Sequence, residues 1–253
     1  MITRPGLHPS ELASTRQALD DQPPQAVVGW ALRRFAAERT VVVTSLQAGG
    51  MAVVDMALRL DGAVRVVTID TGRLPEETYA YLDVIRAHYG RGIEVAFPDR
   101  DQVERFTSEH GVNAFYADVE RRLECCHLRK VEPLQRVLSG VDCWLTGLRR
   151  DQSARRRGIP VVELDPEHGD IAKVYPLARW SEADIRAYLR QHAVPLHPLY
   201  EQGYRSIGCA PCTRPVLSGE DPRAGRWWWE QGVEKECGLH GRPARPDSDG
   251  RTA

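Results

Sequence analysis

The sequence predicts an α/β fold, built on a mostly parallel sheet with helices on both faces. The main observation is that short β-branched runs alternate with longer segments whose apolar residues have helical spacing, which is the pattern of βαβ units. Residues 40–45 (TVVVTS) and 64–70 (VRVVTID) are two such runs, and their continuous apolar character is typical of strands buried on both faces. Beyond residue 198 the chain is rich in Gly, Pro and Arg, which predicts an irregular C-terminal segment.

The elements follow from this pattern in chain order. The expected strands are residues 40–45, 64–70, 93–97, 143–147, 161–164 and 173–176. The expected helices are residues 28–38, 51–60, 75–89 and 181–192. In the last of these, Ser181 is the N-cap and Asp184 stands three residues on, as in a capping box. We expect residues 1–25 to form a loose arm that orders by packing, 26–230 to form the α/β domain, and 231–253 to form a mobile tail.

Composition narrows the classes of partner. The formal net charge is -1, so the protein as a whole has no field that would draw it to nucleic acid or to an acidic membrane surface. No signal-peptide core is found near the N-terminus, and no stretch approaches the roughly 20 apolar residues of a membrane span. We therefore expect a cytoplasmic protein, in which thiols stay reduced and clustered cysteines indicate metal binding or catalysis.

Two loops at the ends of predicted strands have the composition of a nucleotide site. In the first, Ser45 and Gly49 precede a helix whose free N–H groups can approach a phosphate closely. In the second, Asp70, Thr71 and Gly72 end the next strand with a carboxylate, a hydroxyl and a flexible residue. A tight turn or a helix cap would account for either loop alone. Together, at the carboxyl edge of neighbouring strands, they favour a nucleotide site.

Paired arginines add candidates for binding an anion. Arg149 and Arg150 directly follow the predicted strand at 143–147, and guanidinium groups can hold phosphate or sulfate oxygens in a bidentate way. Arg223 and Arg226 lie three residues apart and could grip an oxyanion from two sides. A solvated turn would account equally well for the second pair.

Four of the six cysteines form a pattern with metal-ligand spacing. Cys125 and Cys126 are adjacent, and Cys209 and Cys212 form a Cys-x-x-Cys pair far along the chain. Adjacent cysteines suit one tetrahedral zinc ion poorly, whereas an iron–sulfur cluster offers a separate iron to each thiolate. A zinc site stays the alternative. Lys130 follows Cys126 by four residues, about one helical turn, and would place a cation near this site.

The remaining cysteines differ in their surroundings. Cys143 begins an apolar strand, where core packing accounts for it. Cys237 lies in a glycine-flanked tail with Lys235 and His240 nearby, and cations raise the thiolate fraction of a thiol. Cys237 is therefore a candidate nucleophile, with an incidental exposed cysteine as the alternative.

Several of these segments match a known family. They closely resemble assimilatory adenylyl-sulfate reductases, within the phosphoadenylyl-sulfate reductase family, over about residues 40–240. The segments that carry the resemblance are residues 70–73 (DTGR), 125–130 (CCHLRK), 146–151 (TGLRRD), 203–213 (GYRSIGCAPCT), 225–230 (GRWWWE) and 236–240 (ECGLH). One departure is that many members carry an acidic residue after Ala48, where this chain has Gly49, so only a backbone contact is expected there.

The resemblance implies an adenine nucleotide α-hydrolase-like fold and specific site residues. It implies one 4Fe-4S cluster per subunit on the four paired cysteines, and Cys237 as the nucleophile on a mobile C-terminal segment. By motif, Arg149 or Arg150 would help to hold the nucleotide. The residues expected around the phosphosulfate group are Lys130, Arg223, Arg226 and His240.

The implied reaction is reduction of adenosine 5′-phosphosulfate to sulfite and AMP through a Cys237 S-sulfonate, in sulfate assimilation and cysteine biosynthesis. The implied reductant is thioredoxin or glutaredoxin, acting in trans. Formation of a homo-oligomer is left open. The cysteine pairs favour this substrate over its 3′-phosphorylated form, although an enzyme for phosphoadenylyl-sulfate or for both remains an alternative. A more distant alternative is a non-catalytic nucleotide-binding module with structural zinc.

Overall fold

The structure is a computed structural model that describes residues 6–153 and 156–230. Its centre is a six-stranded sheet in which five strands are parallel and one edge strand is antiparallel. The strands are Thr40–Val43 (β1), Arg65–Ile69 (β2), Glu94–Ala96 (β3), Cys143–Leu145 (β4), Val162–Asp165 (β5) and Ile171–Val174 (β6). All six lie within a few residues of the predicted ranges, so the predicted mostly parallel sheet is confirmed.

The strand order is β3-β2-β1-β4-β6-β5. The chain starts in the middle at β1, adds β2 and β3 on one side, and then crosses to add β4 on the other. Val42 of β1 pairs with Val66 of β2 and Leu145 of β4, all in parallel register. The order reverses between β1 and β4, and the crevice beyond their carboxyl ends is where open α/β sheets bind ligands.

Helices cover both faces of this sheet. They are Pro9–Leu19 (α1), Pro24–Arg34 (α2), Ala48–Leu60 (α3), Glu76–Tyr89 (α4), Arg100–His110 (α5), Val119–Cys126 (α6), Glu132–Leu138 (α7) and Glu182–Gln191 (α8). A π-helical turn, His127–Val131, joins α6 to α7. Side chains alternate between two cores, so that Val42 packs with Met51 on one face while Val41 packs with Leu134 and Trp144 on the other.

The N-terminal region is more regular than the sequence predicts. The expected arm at 1–25 contains α1, which packs along β5 and buries Leu19 in the main core, where Leu7, just before the helix, is buried as well. The Nε of Arg16 donates a hydrogen bond to the Val162 carbonyl at 2.8 Å. Helix α1 has few apolar residues, so periodicity does not reveal it. Its signals are terminal, with Pro9 in the first turn and a capping box between His8 and Glu11.

Within the described ranges, no helix combines the length and the apolar character needed to cross a membrane.

Candidate active site

The loop between β1 and α3 packs directly on the loop after β4. A Cβ atom on Gly49 would lie 2.8 Å from the carbonyl oxygen of Gly147, so the two backbones can meet only because both residues are glycine. The N–H of Ala48 donates to the Tyr200 hydroxyl at 3.1 Å, while Ser45 is exposed at the edge of the loop. The N-cap Gln47 makes no side-chain cap, which leaves this helix start open to an acceptor.

The β1–α3 loop is also tied to the segment that carries the second cysteine pair. The side-chain oxygen of Gln47 accepts a hydrogen bond from the N–H of Ile207 at 3.1 Å. Ile207 stands two residues before Cys209, so the first glycine loop and the cysteine loop are held side by side. The sequence gives no local signal for this contact, since the two residues are 160 positions apart.

The loop after β2 has a dual role. The carboxylate of Asp70 accepts hydrogen bonds from the N–H of Gly72 at 2.7 Å and from the Tyr79 hydroxyl at 3.1 Å, so it shapes the turn itself. Gly72 has a φ of +69°, which favours glycine. The hydroxyl of Thr71 lies 3.2 Å from the sulfur of Cys209, within hydrogen-bond distance. The second predicted nucleotide loop therefore contacts the cysteine site.

The four paired cysteines line one pocket. Cys125 and Cys126 end α6, Cys209 and Cys212 stand at the two ends of a short turn of 3-10 helix, and none of the four forms a disulfide. The other residues of the pocket lining are Arg73, Phe115, Arg122, Arg129, Lys130 and Pro211. Four of these six are cations, so the thiols face a strongly positive wall.

The π-helical turn explains why thiols and cations share this pocket. Neighbouring residues point about 100° apart in an α-helix, and a π turn, with more residues per turn, reduces that angle. The wider π turn at His127–Val131 lets Arg129 and Lys130 both line the pocket, and both are buried. Arg129 also donates to the carbonyl of Thr71 at 2.7 Å, which fixes the β2 loop against the turn.

The electrostatics of the four thiols are unequal. Burial raises the pKa of Cys125, and burial together with Cys209 raises the pKa of Cys212 to about 12. At Cys209 burial again raises the pKa, but the charge of Lys130 and the bond with Thr71 outweigh it, so the pKa lies below its ordinary value. Of these three thiols, Cys209 is the one whose surroundings favour the thiolate.

The pocket offers four thiols as donors, a set that fits an iron–sulfur cluster. Among the described residues, no three His, Cys, Asp or Glu side chains lie close enough together to hold one metal ion. The four sulfurs nevertheless line a common pocket, and an all-sulfur set with separate positions is what a cluster of several irons requires. Cys143 takes no part, because it lies in the main core, where burial raises its pKa.

The predicted arginines separate into different roles. Arg226 is buried beside the cysteine loop, where it donates to Ser206 at 3.2 Å and lies so close to Gly208 that a Cβ there would meet its guanidinium at 2.7 Å. Arg223 starts the same turn, and its N–H donates to the carboxylate of Asp221 at 2.7 Å.

The pair after β4 divides in the same way. Arg149 bonds its neighbour Asp151 at 2.6 Å and stays in the crevice loop. Arg150 instead bonds Asp20, at the end of α1, and the carbonyl of Ile159, each at 2.7 Å. Arg150 therefore joins the N-terminal helix to this loop, and Arg149 is the better candidate for a ligand.

Cys237 and His240 lie outside the described residues, so their predicted roles stay predictions. The segment leading to them is described as far as Glu230. The sequence does not single out Glu230 or its partner Arg122 on α6, which bond each other at 2.5 Å in the interior. Arg122 stands three residues before Cys125, and this helical spacing from a ligand-type cysteine is the signal that could have found it.

The fold and the site together define the class of protein. The class is an open α/β sheet with glycine-bearing loops at its switch point and a cationic four-cysteine pocket beside those loops. The family model for the phosphoadenosine phosphosulfate reductase domain matches residues 39–215. The chain belongs to this family, and the resemblance seen in the sequence is confirmed.

Individual relatives agree with the family. An adenosine 5′-phosphosulfate reductase of Allochromatium vinosum is 48% identical over 206 residues, which cover 81% of this chain and 80% of the relative. One from Pseudomonas aeruginosa is 42% identical and covers 93% of this chain and 89% of its own.

Solved structures support the fold. The crystal structure of phosphoadenylyl-sulfate reductase from Candida auris, in its phosphate complex, superposes with a TM-score of 0.70 at 28% identity, covering 84% of this chain and 99% of that one. An FMN adenylyltransferase from Candida glabrata, with a TM-score of 0.52 and 14% identity over 85% of this chain and 70% of its own, shows a related fold alone.

Proposed function

We propose that this protein reduces adenosine 5′-phosphosulfate to sulfite and AMP, with a dithiol protein of the thioredoxin or glutaredoxin type as reductant, in sulfate assimilation and cysteine biosynthesis. The observation that carries the proposal is the contact between Thr71 of the β2 loop and Cys209. It makes the nucleotide loops and the cationic cysteine pocket one continuous site. The relatives named adenosine 5′-phosphosulfate reductase support the same substrate.

The substrate is an anion, and this chain offers it both loops and cations. The open N-terminus of α3, with Ser45 and the backbone of Gly49, suits a phosphate. Arg149 and the backbone of Gly72 lie at the neighbouring strand ends and would contact the nucleotide. Lys130 and Arg226 are buried near the thiols, where they would neutralise the sulfate and the charge that builds on the leaving phosphate.

Sulfite would form in two exchanges. The thiolate of Cys237 attacks the sulfur of the sulfate group, an S–S bond forms, and the bond from sulfur to the phosphate oxygen breaks. AMP leaves with that electron pair, and Cys237 carries an S-sulfonate. Arg223 and His240 are proposed to contact the transferring group, which would otherwise repel a thiolate.

The second exchange needs a reductant in trans. One thiolate of an external dithiol attacks the sulfur of Cys237, and sulfite leaves. The second thiol of the dithiol then resolves the mixed disulfide and frees Cys237, so two electrons pass from the dithiol to the substrate sulfur. The described cysteines are all buried, and four of them line the pocket, so none of these four is proposed as the resolving thiol.

The four pocket cysteines are proposed to hold a 4Fe-4S cluster, one per chain. When bound, the cluster would fix the two cysteine segments together and contribute its charge to the field at the sulfate. Arg73, Arg129 and Lys130 would surround it and set the position of the β2 loop beside it. Iron and sulfide analysis should give about four of each per chain. One zinc and no iron would instead indicate the non-catalytic zinc module.

The experiment that tests the reaction compares two thiol variants. Cys237→Ser should keep its iron content and bind AMP as the wild type does, but form no sulfite and no S-sulfonate. Cys143→Ala is the matched control, because it removes a core thiol far from the pocket lining and should stay active. Sulfite production by Cys237→Ser would exclude this mechanism.

A second candidate substrate is phosphoadenylyl-sulfate. The observation that favours it is the superposition with the Candida auris enzyme that is named for this substrate. The paired cysteines favour adenosine 5′-phosphosulfate. Turnover of both nucleotides in competition decides between them, and equal rates would show an enzyme that accepts both.

A further inference from the structure

The segment 225–230, which we call the strap, bridges the two halves of the cysteine pocket. On one side it bonds the loop with the second cysteine pair, because the N–H of Trp227 donates to the carbonyl of Cys212 at 3.2 Å. Arg226 pairs with Thr213 in an isolated β-bridge. On the other side, Glu230 accepts a hydrogen bond from Arg122 on α6, the helix that ends with the first cysteine pair.

The contact between Arg122 and Glu230 is buried. The Nε atom of Arg122 lies 2.5 Å from Oε1 of Glu230, and the side chains are 1% and 4% exposed. An ion pair so far from water is held strongly once formed, and removing one partner leaves the other charge uncompensated. This pair therefore constrains the strap far more than an exposed ion pair would.

Two guanidinium groups lie close to the ring of Trp227. Arg122 is 4.5 Å from the centre of its ring and Arg226 is 4.6 Å from it, and the ring is fully buried. Trp227 also has a φ of +42°, a strained conformation for a residue with a side chain. The strap therefore keeps an unfavourable backbone shape that its surroundings must impose.

The strap also carries polar atoms without hydrogen-bond partners. Within the described ranges, Nε of Arg226, Nε1 of Trp227 and Oε2 of Glu230 are buried and unpaired. Each such atom costs free energy, so the strap has little stability of its own. It stays in place because it is fixed at both ends, to Cys212 on one side and to Arg122 on the other.

We propose that the Arg122–Glu230 ion pair anchors the strap over the cysteine pocket and makes both residues positioning residues for the reaction. Through the strap, the pair holds Arg226 beside Cys209 and fixes the point from which the tail with Cys237 starts. Seven peptide units separate Glu230 from Cys237 and can span at most about 25 Å. The inference rests on the proposed function, which assigns the role of reacting thiol to Cys237.

The main test is Glu230→Gln in the cluster-loaded full chain. Hydrogen exchange of the peptide covering the strap should become at least tenfold faster. Single-turnover formation of the Cys237 S-sulfonate, followed by mass, should slow at least tenfold. Affinity for AMP should stay within twofold, because the ion pair joins the strap to α6 and not to the loops after β1 and β2. The iron content should stay that of the wild type.

The matched control is Glu220→Gln. Glu220 pairs with Arg214 at 3.0 Å in the same region, but both side chains are about a third exposed. The same chemical change there removes an ion pair of little energetic value, so exchange in the strap and the S-sulfonate rate should both stay at wild-type values.

A second pair of variants covers the case in which Glu230→Gln folds poorly. Arg122→Lys keeps a cation for Glu230, whereas Arg122→Gln removes it. The proposal expects Arg122→Lys to stay within threefold of the wild-type S-sulfonate rate and to keep the strap protected from exchange. Arg122→Gln should lose both the rate and the protection. Equal impairment of the two variants would overturn the ion pair as the cause. A fall in rate that matches the loss of folded, iron-loaded protein would show a merely structural role.

The anchor and the proposed function can fail separately. Exchange in the strap reports the anchor whether or not any sulfite forms. If the wild type forms no S-sulfonate, the proposed function fails. If Glu230→Gln leaves both exchange and rate unchanged, the anchor fails and the proposed function stands.

Discussion

Replacing Gly147 with Ala should separate the two loops that we assign to the nucleotide. An added Cβ would lie 2.4 Å from the nitrogen of Gly50, 2.5 Å from the carbonyl carbon of Gly49 and 2.7 Å from its oxygen. All three are backbone atoms, so no side-chain rotation relieves the clash. Ordinary contact begins at 3.4 Å, so the loops must part by about 1 Å, the difference between 3.4 and 2.4 Å.

Two magnitudes follow from that displacement. Overpacking of this kind costs about 1 to 3 kcal/mol of unfolding free energy. With a urea slope of about 2 kcal/mol per molar, the unfolding midpoint should fall by roughly 0.5 to 1.5 M. A misplacement of about 1 Å in a binding loop is also enough to weaken AMP binding at least tenfold, which corresponds to about 1.4 kcal/mol.

The assay pairs urea unfolding with an AMP titration, and Gly158→Ala is the control. A Cβ at Gly158 meets nothing within 4 Å, so this variant should match the wild type in both measurements. If Gly147→Ala loses the expected stability but binds AMP with wild-type affinity, these two loops do not form the nucleotide site.

Three further predictions concern residues away from the pocket. Burial lowers the pKa of His197 to about 4, so the neutral imidazole is the form that stabilises the fold. About 2 to 3 kcal/mol of unfolding free energy should therefore be lost as the pH falls from 6.5 towards 4. In His197→Asn, the unfolding free energy from urea titrations should change less over this pH range. Tyr188→Phe should cost about 1 kcal/mol in urea unfolding, because it removes the hydroxyl that donates to the buried Asp55 at 2.7 Å. Cys143→Ala should lower stability by about 1 to 2 kcal/mol without changing the iron content, and loss of iron would place this thiol in the metal site.

Much of the sheet could be predicted because its strands carry a local signal. The β-branched runs at β1 and β2 have buried centres on both faces, and their valines make each run visible in the sequence. Helix α5 was not predicted, because Phe106 is its only buried residue and most of its surface is polar. Its visible signal is the N-cap Asp99, whose carboxylate accepts from the N–H of Gln102 at 3.0 Å.

The sequence predicts which residues form the site but does not predict the contacts among them. The spacing of cysteines pointed to one pocket, and the structure brings all four to it. It also shows that Thr71 contacts Cys209 and that Arg150 bonds Asp20. These partners are more than a hundred residues apart, so their pairing depends on the strand order, which no local pattern contains. Similar-looking residues such as Arg149 and Arg150 therefore separate only in three dimensions.

The π-helical turn has a consequence for how this chain can change in length. The turn holds one residue more than an α-helical turn, so deletion of one residue between His127 and Val131 would let α6 and α7 join as a regular helix while α7 keeps its orientation. Leu134 would then stay against the sheet, whereas Arg129 or Lys130 would lose its place in the pocket lining. Substitutions in this stretch alter one side chain at a time, whereas a single-residue gap would remove a pocket position and leave the core in place. We expect chains that keep both cations of the turn to keep the spacing from Cys126 to Leu134 unchanged.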